Sequence, residues 1–263
     1  MWRGDFQVKA SDEIRDRASD VYDARAILQS RAVLGEIAPR VFAQMTASDP
    51  RVRQSATNAA TKIAHALNRK ELTHGVLSTL ETMAGSAEAP DRASLVLSMG
   101  ELGGEPRAFL GDPEFVVRAC AALAPALARD PTATSVTLQA VERPAEIDRL
   151  TDDIPQFQMR ARFSFVRAAV ERASTFEELL PGALAIAAVG NAHTVEYEIG
   201  PLLAKAFPAP YTPGHPLSPS QRAFLEALVA NEGIWSKVLG NPRPWFERVG
   251  LAYDREGCRG ILS

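Results

Sequence analysis

The sequence predicts an all-α protein, and more narrowly a stack of helical pairs. Three observations lead there. Apolar residues recur at steps of three and four along most of the chain, and no stretch alternates between hairpin turns. The hydrophobic residues, 46% of the chain, lean on Ala and Leu rather than aromatics. Ala is the best helix former, and its small side chain lets helices approach closely. Finally, a turn followed by an amphipathic helix occurs at Asp49-Pro50-Arg51-Val52-Arg53-Gln54-Ser55-Ala56, and a weaker counterpart follows at Asp112-Pro113-Glu114-Phe115-Val116-Val117-Arg118-Ala119. A copied turn and helix is a mark of stacked repeats.

Along the chain, residues 1–11 place Trp2 and Phe6 among polar residues, as a short arm or a frayed end. Ser11 followed by Asp12 and Glu13 predicts the start of a helix running to Gln29 with a thin apolar face. A second helix is expected over Ile37 to Met45, with Pro39 in its first turn. Asp49 and Pro50 then open the motif helix, whose stripe reads Val52, Ala56, Ala59, Ala60, Ile63 and Leu67. Arg51, Gln54, Asn58, Thr61, Lys62 and His65 fall on its other faces. Helices follow over Leu72 to Met83 and over Asp91 to Leu102, the latter closed by Gly103-Gly104. Phe115 to Ala128 is apolar nearly all round, and Pro125 should kink or split it. Pro131 to Glu142, Met159 to Ala173, Phe176 to Ala188 and Val195 to Phe207 complete the set, with Met159, Phe163, Val166, Ala169 and Val170 as the third-last stripe. Residues 208–219 hold five prolines and read as a stiff connector. Ser218, Pro219 and Gln221 spell a capping box for a helix carrying Phe224, Leu225, Leu228 and Val229. Two short helical pieces flank Asn241-Pro242-Arg243-Pro244. The expected organisation is a repeat region over 1–207, the connector over 208–219 and a helical cap over 220–263.

The Asp49-Pro50-x-Val52-Arg53-x-x-Ala56-x-x-Ala59 run resembles the second helix of a HEAT-like repeat. The counterpart at Asp112 sets its Val117-Arg118 farther from the Asp, so its register is looser. Arginines at 53, 92, 118 and 160 lie 39, 26 and 42 residues apart, and the outer steps suit a two-helix repeat. The C-terminal stretch from Leu217 through Trp235 and Trp245 to Leu251 is similar to the ends of uncharacterised bacterial HEAT-repeat proteins. The resemblance implies an α-solenoid in which the Asp closes each turn, the Arg ladders onto neighbouring turns, and the last helices shield the final repeat. HEAT-like families mostly bind partners. Some carry enzymes, among them DNA glycosylases acting on alkylated bases, bilin lyases and a di-iron hydroxylase. The fold therefore leaves the activity open.

Charge and residue types narrow the classes. The net charge of -3 sets nucleic-acid binding behind, because chains that coat nucleic acid carry a basic excess. Cys120 and Cys258 form no CxxC pair and read as buried thiols of a reducing compartment. Residues 1–10 lack the apolar core of a signal peptide, and no apolar run is long enough to span a bilayer, so the expected location is cytoplasmic, without membrane contact. The four histidines, His65, His74, His193 and His215, form no His-Glu pairs at ligand spacing, so no metal and no other cofactor is expected. No Gly-rich phosphate loop or nucleophile elbow is present.

The densest polar cluster is Asn191-Ala192-His193-Thr194-Val195-Glu196-Tyr197. On a helix His193 and Glu196 would stand one turn apart and could act as a catalytic pair. The plainer reading is a helix cap at Asn191 or Thr194 with His193 in the turn. Arg160, Arg162 and Arg167, beside Phe163 and Phe165, either line a basic groove or pair with acidic turns. With Asn58, His65, Asn191 and Tyr197, the residues Arg160 and Arg167 are the candidate binding residues of a concave face. The first expectation is a non-catalytic scaffold for a protein or peptide. An enzyme or accessory protein holding a small molecule is the alternative, and a nucleic-acid or base-repair protein comes third.

Overall fold

A computed structural model describes residues 21–236 and 242–263. The arm with Trp2 and Phe6 and the helix start at Ser11 lie outside the described residues. Within them the chain is all-helical, with thirteen α-helices, three short 3₁₀ turns and no strand. None of these helices is long and apolar enough to cross a membrane. The chain divides into two compact units, Met1–Ser78 and Thr79–Ser263.

In the first unit, α1 (Val21–Gln44) packs on α2 (Pro50–Leu67), and α3 begins at Lys70 and runs to Ala84. Ala38, Ile63 and Leu67 form the buried seam, with Leu34, Val41, Phe42 and Leu72 against it. The two helices expected on either side of residue 30 are one. Pro39 lies inside α1 and is exposed, so the hydrogen bond it cannot make falls on the solvent side. In α2 the expected stripe is shifted. Val52 is 40% exposed, while Thr57 and Thr61 are buried. Thr61 satisfies its hydroxyl inside the helix by donating to the Thr57 carbonyl at 2.9 Å, which lets a polar residue occupy a core position.

The opening motif works as a turn with a brace. Asp49 is the N-cap of α2, and its carboxylate accepts from the Arg51 amide at 2.8 Å. Arg53, four positions after the cap, turns back and donates to the carbonyls of Ala47 (2.9 Å) and Ser48 (3.4 Å). A helical side chain leans toward the N-terminus of its own helix, so an Arg at this position reaches the turn before the cap. A guanidinium there opposes the helix dipole, and the extra carbonyl bonds offset that cost.

The same brace recurs twice in the second unit. Helix α4 (Ala89–Glu101) is preceded by Glu88, and Arg92 donates to the Ala87 carbonyl at 2.5 Å. Helix α5 (Phe115–Ala122) is preceded by Glu114, and Arg118 donates to the carbonyls of Asp112 (2.7 Å) and Pro113 (2.8 Å). The position equivalent to Asp49 is thus Glu114, which places Asp112-Pro113 two residues too early to match Asp49-Pro50. Arg92 also pairs with Asp112 at 2.8 Å and so ties one turn to the next. Arg160 is not a fourth member, because it lies in the exposed loop before the later helix.

The rest of the second unit follows in short helices. Pro125 ends the apolar stretch after α5, and residues Pro125–Leu127 form a 3₁₀ turn. Helices α6 (Pro131–Glu142), α7 (Pro144–Thr151), α8 (Arg162–Arg172), α9 (Phe176–Val189) and α10 (Ile199–Ala206) come next, of which α7 was not expected. Then come α11 (Pro219–Ala230), a 3₁₀ turn at Glu232–Trp235, α12 (Arg243–Arg248) and α13 (Arg255–Leu262). Packing runs in sequence: α4 on α5, α5 on α6, α6 on α8 and α9, α9 on α11, and α11 on α13. Phe176 of α9 and Phe224 of α11 bring their rings to 5.4 Å in that series. The capping box at Ser218 and Gln221 forms as its sequence spells it.

Asn231 joins the C-terminal helices to α9. Its amide nitrogen donates to the carbonyls of Ala187 (2.7 Å) and Gly190 (2.8 Å), two of the acceptors that the end of α9 leaves open. Asn231→Ala strands both, and we expect a loss of about 1–3 kcal/mol in unfolding free energy by urea titration. Asn231→Asp puts a carboxylate against the same carbonyls and should be no milder. A variant within 0.3 kcal/mol of wild type would show that water replaces the amide.

Candidate functional site

The second unit holds a buried charged cluster where α7, α8 and the turn before α10 meet. Arg162, the first residue of α8, is 2% exposed, and Glu198 is 0% exposed. Arg162 donates from Nε to the Glu198 carboxylate, and from Nη1 to Asp148 of α7 at 2.9 Å. Its backbone amide also points at Asp148 Oδ1, at 3.2 Å. Asp148 therefore caps α8 from another helix, which explains why α8 starts without a side-chain cap of its own. Burial pushes the Glu198 carboxyl above its ordinary value, while Thr194 and Arg162 pull it down. Glu198 Oε2 and Arg162 Nη2 are both buried with no hydrogen-bond partner within the protein.

Residues 191–198 form a run of turns that carries Glu198 into the interior. Asn191 Oδ1 accepts from the His193 amide at 3.0 Å, and the Thr194 hydroxyl closes the loop on the Asn191 backbone. The expected helix over Val195 to Phe207 starts only at Ile199. His193 and Glu196 are consequently exposed turn residues, not neighbours on one helix face. The turn chemistry of Asn191 and Thr194 prevails over helix propensity here.

Above the buried cluster lies an exposed patch. The rings of Phe163 and Tyr197 stack at 5.1 Å, with planes 16° apart. Tyr197 is 38% exposed, and its hydroxyl is held against Glu196, which raises its ionisation point. Met159 is 51% exposed in the loop before α8 rather than part of a helical stripe. Arg160 in the same loop lies 4.0 Å from Asp148, whose oxygens already serve Arg162, and most of its guanidinium faces solvent. Gln156 holds this loop down by donating to Ser98 Oγ (2.7 Å) and the Ser94 carbonyl (3.1 Å). The loop is thereby fixed to α4 while its tip stays accessible.

Of the other sequence candidates, Arg167 pairs with Glu171 one turn along at 3.0 Å. With Arg162 buried between carboxylates, Arg160, Arg162 and Arg167 do not form one basic groove. Asn58 is half-buried and His65 exposed on α2, in the first unit. That unit also carries an open depression lined by Asn68, Lys70, Glu71, Thr73, His74 and Leu77. Both cysteines are buried, and burial pushes each thiol up to about 12. Among the described residues no group of three or more His, Cys, Asp or Glu side chains is arranged to hold a metal ion.

The residue that sequence reasoning missed is Glu198. Its signal was its spacing: Val195, Glu198 and Leu202 lie three and four apart, so the carboxylate sits in the period of a buried stripe. Arg162 gave the same signal with Phe165, Val166 and Ala169. Comparison with protein-family models, curated proteins and solved structures returned no match.

Proposed function

We propose that the chain is a helical-repeat scaffold of the HEAT-like kind that binds a protein or peptide segment without acting on it. Support for the repeat comes from the three Arg braces at matching positions of α2, α4 and α5, followed by the sequential helix packing of the second unit. The observation that carries the binding reading is the Phe163–Tyr197 stack, half-buried at Phe163 and exposed at Tyr197, together with exposed Met159 and Arg160 in the loop that leads into α8. Tyr, Met and Arg are the residue types enriched where protein interfaces bury their energetic centre. The patch rests on a rigid base, the Arg162 cluster beneath and the Gln156 tether beside it, so little ordering cost remains at binding. The ligand that fits is an extended segment offering an apolar side chain to the stacked rings and a carboxylate to Arg160.

The test is peptide display against the full chain. Enriched peptides should carry an aromatic or aliphatic residue near an acidic one. Tyr197→Ala and Arg160→Ala should each weaken them at least about tenfold, the range of an interface hot spot. Peptides that bind both variants as well as wild type would overturn the assignment of the patch.

A further inference from the structure

We propose a second binding surface, on the first unit: the exposed polar stripe of α2 and the joint after it dock the phosphate backbone of a nucleic-acid duplex. Positions 51, 55, 58, 62 and 65 step by four and three, so Arg51, Ser55, Asn58, Lys62 and His65 lie in line on one face of α2. Asn58 is half-buried and the other four are exposed. Exposed Arg69 and Lys70 follow where α2 gives way to α3, and exposed His74 stands one turn farther on. Each of these side chains can donate to an anionic oxygen, and no acidic or apolar residue stands among the five of the stripe.

The row is not needed to close the helix. Arg31 of α1 already serves the open end of α2, donating to the carbonyls of Ala66 (3.3 Å) and Leu67 (3.4 Å), and the Asn68 amide donates to Ala64. Asp49 at the head of the stripe accepts from the Arg51 amide. Lys62 has a further interaction within the chain, so the charge counted for a ligand is that of Arg51, Arg69 and Lys70. The overall charge of -3 hides an uneven division. Met1–Ser78 carries 12 Lys and Arg against nine Asp and Glu, whereas Thr79–Ser263 carries 17 against 23. The acidic excess that sets nucleic-acid binding back belongs to the second unit.

The occupant follows from what the stripe has and lacks. A lipid surface calls for an apolar edge to insert, and the apolar face of α2 is buried against α1. Unpaired bases call for aromatic platforms, and the stripe has none. An α-helix rises about 1.5 Å per residue, so the donors from Arg51 to His65 are spread over about 21 Å at fixed intervals. A duplex, itself stiff and evenly charged, meets that row without the ordering cost that a flexible acidic chain adds. Phosphate contacts carry no sequence information, so the duplex is held without sequence preference. This surface differs from the Phe163–Tyr197 patch in residues and in ligand, and neither reading needs the other.

Fluorescence anisotropy of a labelled duplex of about 20 base pairs, titrated with the full chain between about 20 and about 80 mM salt, tests it. Three phosphate contacts predict that affinity falls about 40-fold over that rise in salt. Arg51→Ala and Arg69→Ala should each remove one contact and cut the fall to about 12-fold. Arg259→Ala, which takes the same charge from an exposed residue of the second unit, should leave the fall unchanged. No binding at about 20 mM salt would overturn the proposal. So would a salt dependence that ignores Arg51→Ala and Arg69→Ala, or one that Arg259→Ala weakens equally. Tighter binding to polyglutamate, to phosphatidylglycerol vesicles or to a single strand of the same length would overturn the duplex as the occupant.

Discussion

Arg162→Leu should lower the unfolding free energy of the chain by about 3–5 kcal/mol at pH 8, the range found when one partner of a buried ion pair is removed. The loss comes less from the missing attraction than from what remains. Glu198 keeps its burial but loses its cation, and Asp148 loses one of the two hydrogen bonds it accepts from α8, the backbone amide of residue 162 remaining. Adding Glu198→Leu to Arg162→Leu should recover most of the loss, since two apolar side chains can fill the space of the pair without leaving a stranded charge. Urea titration of the single and double variants gives the coupling directly. The penalty of the single variant should shrink toward pH 5. Without Arg162 the Glu198 carboxyl rises further, takes a proton, and then costs only an unsatisfied neutral group. A single variant within 1 kcal/mol of wild type at pH 8, or a double variant worse than the sum of its parts, would show that the cluster is not held as described.

That pair also marks the limit of what the sequence made legible. The all-helical class, the helix of Pro131–Glu142, the split at Pro125 and the capping box at Ser218 were all readable, because each rests on local chemistry: periodicity, a missing N–H, or a side chain bonding to a nearby amide. The phase of α8 was not. The expected stripe holds at Val166 and Ala169, but Phe163 and Val170 are only half-buried, and the remaining core positions go to Phe165 and to a charge, Arg162. A reading that assigns charges to the surface cannot choose that phase, because the compensating carboxylates stand 14 and 36 residues away. The same blindness hid Glu198 and drew attention instead to His193 and Glu196, the exposed members of its turn. The Arg braces failed in the opposite direction. Their residues were noticed, but each was expected to ladder outward, and Arg53 and Arg118 turn back on the carbonyls of their own turns. Arg92 also adds a rung, to Asp112.

Gly250→Ala should cost about 3 kcal/mol or more, and Gly103→Ala only about 1–2 kcal/mol, although the two glycines end their helices in the same way. Both occupy the left-handed position just past a helix, at φ of 80° for Gly103 and 74° for Gly250. Each helix closes with the paired bonds of a Schellman turn: Gly103 to Gly100 and Gly104 to Met99 after α4, Gly250 to Glu247 and Leu251 to Phe246 after α12. The conformational strain of a side chain is therefore common to both sites. What differs is the space. A Cβ at Gly103 meets nothing within 4 Å, whereas one at Gly250 would lie 2.5 Å from the carbonyl oxygen of Tyr211 and 2.7 Å from its nitrogen. That close approach is where the proline-rich stretch docks, since the Tyr211 amide donates to the Val249 carbonyl at 2.8 Å. A backbone neighbour cannot rotate aside as a side chain can, so Gly250→Ala must break the Tyr211–Val249 bond or shift the stretch as a whole. The difference between the two variants, measured by chemical denaturation under one set of conditions, isolates the docking contact from the strain. Faster exchange of the Tyr211 amide in Gly250→Ala but not in Gly103→Ala would locate the loss at that contact. Equal costs at the two sites would mean that residues 208–219 are not held on the end of α12.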